Sequence, residues 1–300
     1  MIKYTKKIAG YLCPATKRKA IFATALCVFS LSLMAISGGI KPVSTTKGGE
    51  IQLPILMYHS VLDDANRQGK YVIMPEELKK DFEYIKQNGY TPILASDLIN
   101  YKEKNVPLPE KPIMLTFDDG YYNNYSYLFP LLKEYNFKAV ISAIGKYADD
   151  YSKAGEVMNN NYSHATWKML KEMQDSGLVE IGNHSYYMHD WSKRHGILKN
   201  KGEDDEYYRE LLTSDIIKMQ EKIKTGTGKE AIIFTYPFGS VNSECRNIVE
   251  KLGFKVTLGC EEGVNTINKE STFKELKRYN RSGIANREDF FKKINKSVAK

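Results

Sequence analysis

Residues 112–120 read Pro-Ile-Met-Leu-Thr-Phe-Asp-Asp-Gly, and this stretch decides how the rest of the chain is interpreted. The apolar residues at its start predict a buried strand. Two adjacent carboxylates, Asp118 and Asp119, follow the strand, and Gly120 then allows the backbone to turn sharply. Adjacent like charges resist joint ionisation unless a cation or hydrogen-bond donors stabilise them. On its own, the stretch fits either a polar turn or a site that binds a cation.

A second stretch, which begins at His184 and ends at His189, also follows a strand-like run. Two histidines and one carboxylate of the Asp pair make the donor set of a catalytic zinc site, in which a fourth position stays open for water. Such a metal lowers the pKa of a bound water and polarises a carbonyl group, and the second carboxylate is then close enough to take the proton. The five-residue spacing is not the helical one, so we expect a loop to bring the histidines together.

Apolar strands alternate with amphipathic helices along residues 51–300. We expect helices over 75–89, 96–101 with Ser96 as its cap, 124–135, 166–176, 205–224 and 287–297, and a loop over 145–163. Because several strands lack polar alternation, the pattern favours a parallel sheet buried on both faces, in a barrel or a doubly wound fold. The polar residues near 59, 118, 184 and 236 follow strands, so we expect them to face one cleft.

The positive charge is concentrated at the N-terminus. Residues 1–50 contain eight Lys or Arg and one Glu, which is +7 of the total of +8. This distribution excludes a broad basic face for nucleic acid. The basic residues precede the apolar run 20–36, so we expect residues 1–37 to be a signal peptide or membrane anchor and 38–50 a flexible linker. Whether the segment is cleaved stays open, and in both cases residues 51–300 are expected outside the cytoplasm. A disulfide between Cys245 and Cys260 is possible there and is also left open.

Four motifs occur in order: Leu-Met-Tyr-His at 56–59, Thr-Phe-Asp-Asp-Gly at 116–120, His-Ser-x-x-x-His at 184–189 and Phe-Thr-Tyr-Pro-Phe-Gly at 234–239. Over about residues 51–298 the chain resembles the polysaccharide deacetylases, the NodB-homology enzymes of carbohydrate esterase family 4. In motif style it is most similar to the poly-N-acetylglucosamine branch. The resemblance implies an irregular, TIM-like (β/α) barrel and a metal-dependent hydrolase that removes N-acetyl groups from N-acetylglucosamine polymers of a cell wall or secreted glycan.

The resemblance also implies roles for individual residues. Asp118 would be the general base, and Asp119, His184 and His189 would bind a divalent metal. Zinc is the first candidate, with cobalt, nickel, iron and manganese as alternatives. The segment Tyr236, Pro237, Phe238 and Gly239 would line the substrate groove, with the Tyr236 backbone N–H holding the oxyanion.

Two departures from the family pattern concern the proton donor and the orienting arginine. Many members carry a C-terminal Leu-x-x-His motif, but residues 276–281 contain no histidine. His59 is therefore our candidate for the general acid, with a protonated Asp118 as the alternative. The third motif lacks its usual leading arginine, and Arg278 is the candidate substitute, placed with the substrate-binding residues.

Other functions remain open at this point. The same donor set occurs in non-haem iron oxygenases, although these do not need the adjacent base. A non-catalytic glycan-binding protein on the same fold, or a hydrolase of a non-glycan acyl amide, would also fit. The sequence contains no Gly-x-Ser-x-Gly motif, which would indicate a serine esterase. We expect a monomer whose partner is the glycan substrate and whose membrane contact is limited to the N-terminal segment; the sequence does not identify the polymer or the metal.

Overall fold

The computed structural model describes residues 49–155 and 157–299. The expected targeting segment 1–37 and nearly all of the linker 38–50 lie outside these ranges. In the described part of the chain, no helix combines the length and apolar character that crossing a membrane requires.

Eight strands form a parallel sheet that curves into a half-barrel in this α/β fold. Their order is β10-β9-β8-β7-β6-β2-β12, and β5 pairs with β6 beside that path. β1 and β11 form an antiparallel pair, and β3 and β4 a short parallel one. The strands are β1 (Ile51–Leu53), β2 (Ile55–Tyr58), β3 (Ser60–Val61), β4 (Val72–Ile73), β5 (Thr91–Ile93), β6 (Pro112–Asp119), β7 (Ala139–Ala143), β8 (Val179–Asn183), β9 (Ile233–Thr235), β10 (Val256–Leu258), β11 (Asn265–Ile267) and β12 (Tyr279–Asn280).

Seven of the eight α-helices of the described chain bury apolar residues in the main core cluster, whereas the helix over 95–104 buries Ala95, Leu98 and Tyr101 in a second cluster. The helices are α1 (Pro75–Gln87), α2 (Ala95–Lys104), α3 (Phe129–Tyr135, continuing a π-helical turn, Asn124–Leu128), α4 (Gly145–Ala154), α5 (Trp167–Asp175), α6 (Asp205–Thr227), α7 (Ser243–Lys251) and α8 (Arg287–Val298). The expected helices are confirmed. Sequence signals explain several ends: Pro75 occupies the first turn of α1, and the Asn286 side chain accepts from the Asp289 N–H at the start of α8.

Two local predictions were wrong. Residues 145–154 form α4 instead of a loop, because its buried face consists of Gly145, Ala148 and Asp149, which leave no apolar period in the sequence. Ser96 does not cap α2, since the helix begins one residue earlier at Ala95. The Asp97 carboxylate accepts the Leu94 N–H there.

The inner face of the half-barrel changes from apolar to polar along the strand direction. In β6, Ile113, Leu115 and Phe117 pack in the main core cluster, whereas Met114 belongs to a second cluster. Because strand side chains alternate, Thr116 and Asp118 lie on the same face as Met114. On this face of β6, the apolar side chain of Met114 is therefore followed by the hydroxyl group of Thr116 and then by the carboxylate of Asp118.

The segment 276–280 lies between the two ends of the sheet. Leu276 makes a parallel bridge to Leu258 at the end of β10, and β12 pairs with β2. The parallel strands direct all their carboxyl ends to one edge, so residues of this segment and of β6 reach the same cleft.

Candidate active site and metal centre

Asp119, His184 and His189 converge at the carboxyl edge of the sheet. Asp119 is the last residue of β6, and His184 follows β8 directly. The Asp119 Oδ1 lies 3.6 Å from His184 Nε2 and 3.4 Å from His189 Nε2. The ligand atoms of all three residues lie within 4.8 Å of one another.

These three side chains fit a divalent metal. Asp119 Oδ1 is buried without a hydrogen-bond partner among the described residues, and both imidazole contacts are longer than ordinary hydrogen bonds. The three side chains are close enough to share one ion, with the Asp119 oxygen 3.4 and 3.6 Å from the two imidazole nitrogens. The separations therefore match ligands around an ion better than direct bonding.

The two histidines differ in their pKa. Burial opposes the charged form of His184, but Asp119 and Asp118 outweigh this effect and raise its pKa. His184 Nδ1–H donates to the Thr235 carbonyl oxygen at 2.8 Å, which leaves Nε2 on the side of Asp119. Burial, reinforced by the nearby His184, lowers the pKa of His189 to about 4. His189 is thus neutral at pH 7, as a metal ligand must be.

Asp118 lies beside the three side chains and forms a buried ion pair with Arg278. Arg278 Nη1 and Nη2 donate to the two Asp118 carboxylate oxygens, each at 2.8 Å. Both side chains are almost fully buried. Arg278 also donates to the Gly259 carbonyl and to Thr116 Oγ1, which fixes its plane. Burial alone would raise the pKa of Asp118, but the guanidinium outweighs this effect and holds it below its usual range.

His59 lines the same cavity from the turn between β2 and β3. Its Nδ1 is buried and has no partner in the described structure. Its ring packs against Tyr71, with 4.6 Å between centroids, and its carbonyl accepts from the Asn124 side chain. Burial lowers the pKa of His59, although Asp118 and Asp119 act in the opposite direction. The ring is therefore oriented at a polar site without a fixed protein partner for Nδ1.

The cavity above these residues has a volume of about 580 Å³ and two aromatic sides. Tyr71 stands on the side of His59. Phe238 packs against His189, at 4.2 Å between centroids, and Trp191 packs edge-on against Phe238 at 5.0 Å. Trp191 is 63% exposed at the rim. Apolar surface is therefore available to a ligand on both sides of the metal-binding group.

The structure corrects two of the expected substrate contacts. Tyr236 is 1% exposed, and its N–H donates to the Leu258 carbonyl at 3.0 Å, so this amide is not free to hold an oxyanion. Pro237 is buried too, and Gly239 packs against Cys260; of this segment, Phe238 lines the cavity. Arg278 is fully buried behind Asp118 and does not line the cavity, so it is not a substrate contact; its two bonds to Asp118 fit the orienting role for which it was the candidate.

Sequence reasoning missed the residues of the cavity rim. Trp191 carried a signal, because it is one of two tryptophans and lies two residues after His189. Tyr71, Tyr121, Asn280 and Glu262 line the cavity without any motif that would have indicated them. Cys245 and Cys260 are both free thiols in the structure, so the disulfide left open above is not formed.

The sequence model described as polysaccharide deacetylase matches residues 105–257 of this chain. The poly-beta-1,6-N-acetyl-D-glucosamine N-deacetylase of Escherichia coli (strain K12) is 28% identical over 232 residues, which cover 70% of this chain and 34% of that protein. A Bacillus subtilis (strain 168) protein that bears the name polysaccharide deacetylase YxkH is 30% identical over 219 residues, covering 71% of this chain and 66% of its own length. The chain thus spans about a third of the length of the first curated relatives that it matches.

Solved structures agree with the fold. A de-N-acetylase from Aggregatibacter actinomycetemcomitans is 25% identical, with a TM-score of 0.69 over 81% of this chain and 99% of that one. IcaB from Ammonifex degensii is 22% identical, with a TM-score of 0.66 over 83% and 98%. Because IcaB is only 22% identical, its similarity shows the fold alone.

Proposed function

Because this chain belongs to the polysaccharide deacetylase family, we propose that it is a metal-dependent hydrolase that removes N-acetyl groups from an N-acetylglucosamine polymer. One observation carries the proposal. A carboxylate held by an arginine, Asp118, stands next to the metal-binding group of Asp119, His184 and His189 in one cavity. An oxygenase has no use for that additional carboxylate, whereas a hydrolase needs a base there.

The metal site is part of the proposal. Asp119, His184 and His189 would hold the ion, and zinc suits this donor set, with cobalt, nickel, iron or manganese as substitutes. When bound, the ion supplies an activated water and a Lewis acid for the amide carbonyl.

Asp118 takes the proton from the attacking water. Arg278 keeps the carboxylate ionised and fixes its plane, so that an oxygen lone pair not used by the guanidinium stays available. Asp118 is thus a base that is already charged and oriented before substrate arrives. The acetyl carbon is attacked and the C–N bond breaks, which releases acetate and a free amine.

His59 gives a proton to the leaving amine nitrogen. It lines the cavity, and its Nδ1 has no partner among the described residues. Burial lowers the pKa of His59 more than the two carboxylates raise it, so the resting ring is neutral and would give up a proton that it has received during turnover.

A backbone donor for the oxyanion would come from Phe238 instead of Tyr236. In the turn at 237–239, the N–H groups of Gly239 and Ser240 are bonded to carbonyls, whereas the described chain offers no such acceptor for Phe238. Phe238 also has a φ of +58°, which is rare for a residue with a side chain. Backbone strain of this kind is concentrated at functional sites.

The polymer is proposed from the relatives. The matching curated proteins from Escherichia coli and Staphylococcus aureus are named poly-beta-1,6-N-acetyl-D-glucosamine N-deacetylases, and the aromatic sides of the cavity suit a sugar chain. The basic and apolar N-terminus supports export, with residues 51–300 as the catalytic domain.

Acetate release from β-1,6-linked N-acetylglucosamine oligomers and from peptidoglycan fragments tests the proposal. We expect release that stops with a chelator and returns with zinc or cobalt. Asp118→Asn and Asp119→Asn form a matched pair of neighbouring isosteric changes. The first should bind metal but lose most turnover, by about 10²-fold or more, and the second should lose the metal. Bound metal without release from any glycan would contradict the proposed substrate, and normal turnover of Asp118→Asn would contradict the proposed base.

A further inference from the structure

The loop between the two histidines is held by a carboxylate from a helix outside the site described above. The Tyr186 N–H donates to Asp215 Oδ1 at 2.8 Å, and the Tyr187 N–H donates to Asp215 Oδ2 at 2.8 Å. One side chain therefore fixes two successive amides in the middle of the segment 184–189. Asp215 lies in α6, which is anchored in the core by Leu212 and Ile216 on either side of it.

His189 depends on this loop more than His184 does. His184 is oriented by its bond to the Thr235 carbonyl, at the end of β9. In the described structure, no comparable bond from a neighbouring strand orients the ring of His189, which lies on neither a strand nor a helix. The position of its Nε2 relative to Asp119 is therefore set by the path of the loop.

The path of the loop is strained and fixed from two sides. Ser185 has a φ of +70°, a backbone conformation that a residue with a side chain keeps only where its surroundings hold it. On one side, the carbonyls of Ser185 and Tyr186 accept from the Gly145 and Lys146 N–H groups at the start of α4. On the other side stands Asp215. The Ser185 and Met188 amides donate to the Asn183 and Ser185 side chains, whereas the Tyr186 and Tyr187 amides would have no acceptor among the described residues without Asp215.

The environment of Asp215 indicates that its negative charge is stabilised mainly by the backbone amides of the loop. Burial raises the pKa of this carboxyl, and the two groups that oppose it most are the Tyr186 and Tyr187 amides, ahead of the nearby Lys218. A partly buried carboxylate is costly, and here backbone N–H groups, more than a cation, offset that cost. A neutral residue would be expected at this position if only helix packing mattered.

We infer that Asp215 is a positioning residue for the metal site, which acts through the backbone of the loop 184–189 to place His189. The inference rests on the proposed function for the identity of the three metal-binding residues. Partners that orient ligands in this way are worth about 10- to 100-fold in metal affinity.

Asp215→Asn in the full chain is the test, with Glu180→Gln as its matched control. Asparagine keeps the shape but replaces one acceptor oxygen with an NH₂ group that would face a backbone N–H. Glu180 is also a partly buried carboxylate that accepts a backbone amide, from Ser96 at 3.0 Å, but at the far end of β8 from His184. Zinc and cobalt affinities are measured by competition with a chromogenic chelator, together with the thermal midpoint of the metal-free protein and the cobalt absorption spectrum.

We expect Asp215→Asn to weaken metal binding at least about 10-fold and to alter the cobalt spectrum, while Glu180→Gln leaves both unchanged. Asp215→Glu keeps the charge but displaces it by one methylene, so its loss of metal affinity should be intermediate. This variant replaces Asp215→Asn in the test if the asparagine variant does not fold. Wild-type affinity in both Asp215 variants would overturn the inference, even if their thermal midpoints fall. The readout needs no glycan, so a wild type that binds metal without releasing acetate would contradict only the proposed function. A wild type that binds no metal would overturn both.

Discussion

At the scale of single residues, Asp118 and Arg278 form an ion pair that is almost fully buried. Strand β6 supplies a carboxylate to the interior, and the segment between β10 and β12 supplies the guanidinium 160 residues later. Neither residue type belongs in a core by itself. Their pairing explains how a base can be both desolvated and ionised.

Arg278→Met tests the pair. Removing one partner leaves a buried charge without compensation, so we expect a loss of about 3–5 kcal/mol in the free energy of unfolding and a loss of turnover. The double variant Asp118→Leu, Arg278→Met should recover most of the stability but none of the activity. Urea unfolding of the wild type, the single variants Arg278→Met and Asp118→Leu, and the double variant gives the coupling energy, with Lys277→Met as the neighbouring control. Independent effects of the two substitutions would show that the pair does not act as one unit.

A second buried residue, His164, sets a pH dependence of stability. It is 9% exposed and packs between Tyr121 and Tyr147, with centroids 4.8 and 4.4 Å away. Burial lowers the pKa of His164 to about 4, against 6.5 for an unperturbed histidine. The folded state therefore favours the neutral ring. This contribution is fully present above pH 6.5 and is lost as the pH falls towards 4.

We expect His164→Gln to remove that part of the acid sensitivity. The lowered pKa of His164 changes the free energy of unfolding by about 3 kcal/mol at most between neutral and acid pH, since one pKa unit is worth about 1.4 kcal/mol. The free energy of unfolding, measured between pH 7 and 4, should fall less steeply in the variant. His195→Gln, at an exposed histidine, is the control and should keep the wild-type slope. Equal slopes in all three proteins would contradict a neutral, buried His164.

At the scale of elements, different turns after the parallel strands supply the metal-binding and the aromatic residues of the site. The end of β6 supplies Asp118 and Asp119, and the end of β8 and the loop after it supply His184 and His189. The loop after β8 and the turn after β9 also supply the aromatic side chains of the rim. Trp191, which packs on Phe238, is the most exposed residue of that rim. Its indole face is open to a ligand that extends beyond the reacting sugar.

Trp191→Ala should weaken binding of a polymer without changing the chemical step. An aromatic face covered by a sugar ring contributes about 1–2 kcal/mol, so KM for a glycan oligomer should rise about 5- to 30-fold while kcat stays close to wild type. A single N-acetylated sugar, which does not extend over the rim, should show a smaller change. Tyr207→Ala removes an equally exposed aromatic from α6, outside the cavity, and should leave KM unaltered. A fall in kcat with constant KM would place Trp191 in the chemistry instead.

At the scale of the whole molecule, the sequence predicted what depends on local pattern and missed what depends on closure of the sheet. The strand-ending motifs located Asp118, Asp119, His184 and His189, because parallel strands bring their carboxyl ends together. Arg278 was found as a candidate, but its role depends on a segment that bridges two strands far apart in sequence. The Tyr236 amide was misassigned since its bond to Leu258 is a pairing between β9 and β10 that no local pattern reveals. Asp215 had no motif at all, because it acts through backbone amides.

Metal binding should stabilise the whole fold, because Asp119 at the end of β6 and His184 and His189 after β8 converge only in the native state. A ligand that binds the folded chain alone adds about 2.7 kcal/mol at a free concentration 100 times its Kd. We therefore expect the thermal midpoint to rise with added zinc and to fall with a chelator. In Asp119→Asn, which removes the shared carboxylate, the midpoint should no longer respond to zinc, while Asp118→Asn should respond like wild type. An equal response in Asp119→Asn would mean that zinc stabilises the chain at another place, and the proposed ligand set would then be wrong.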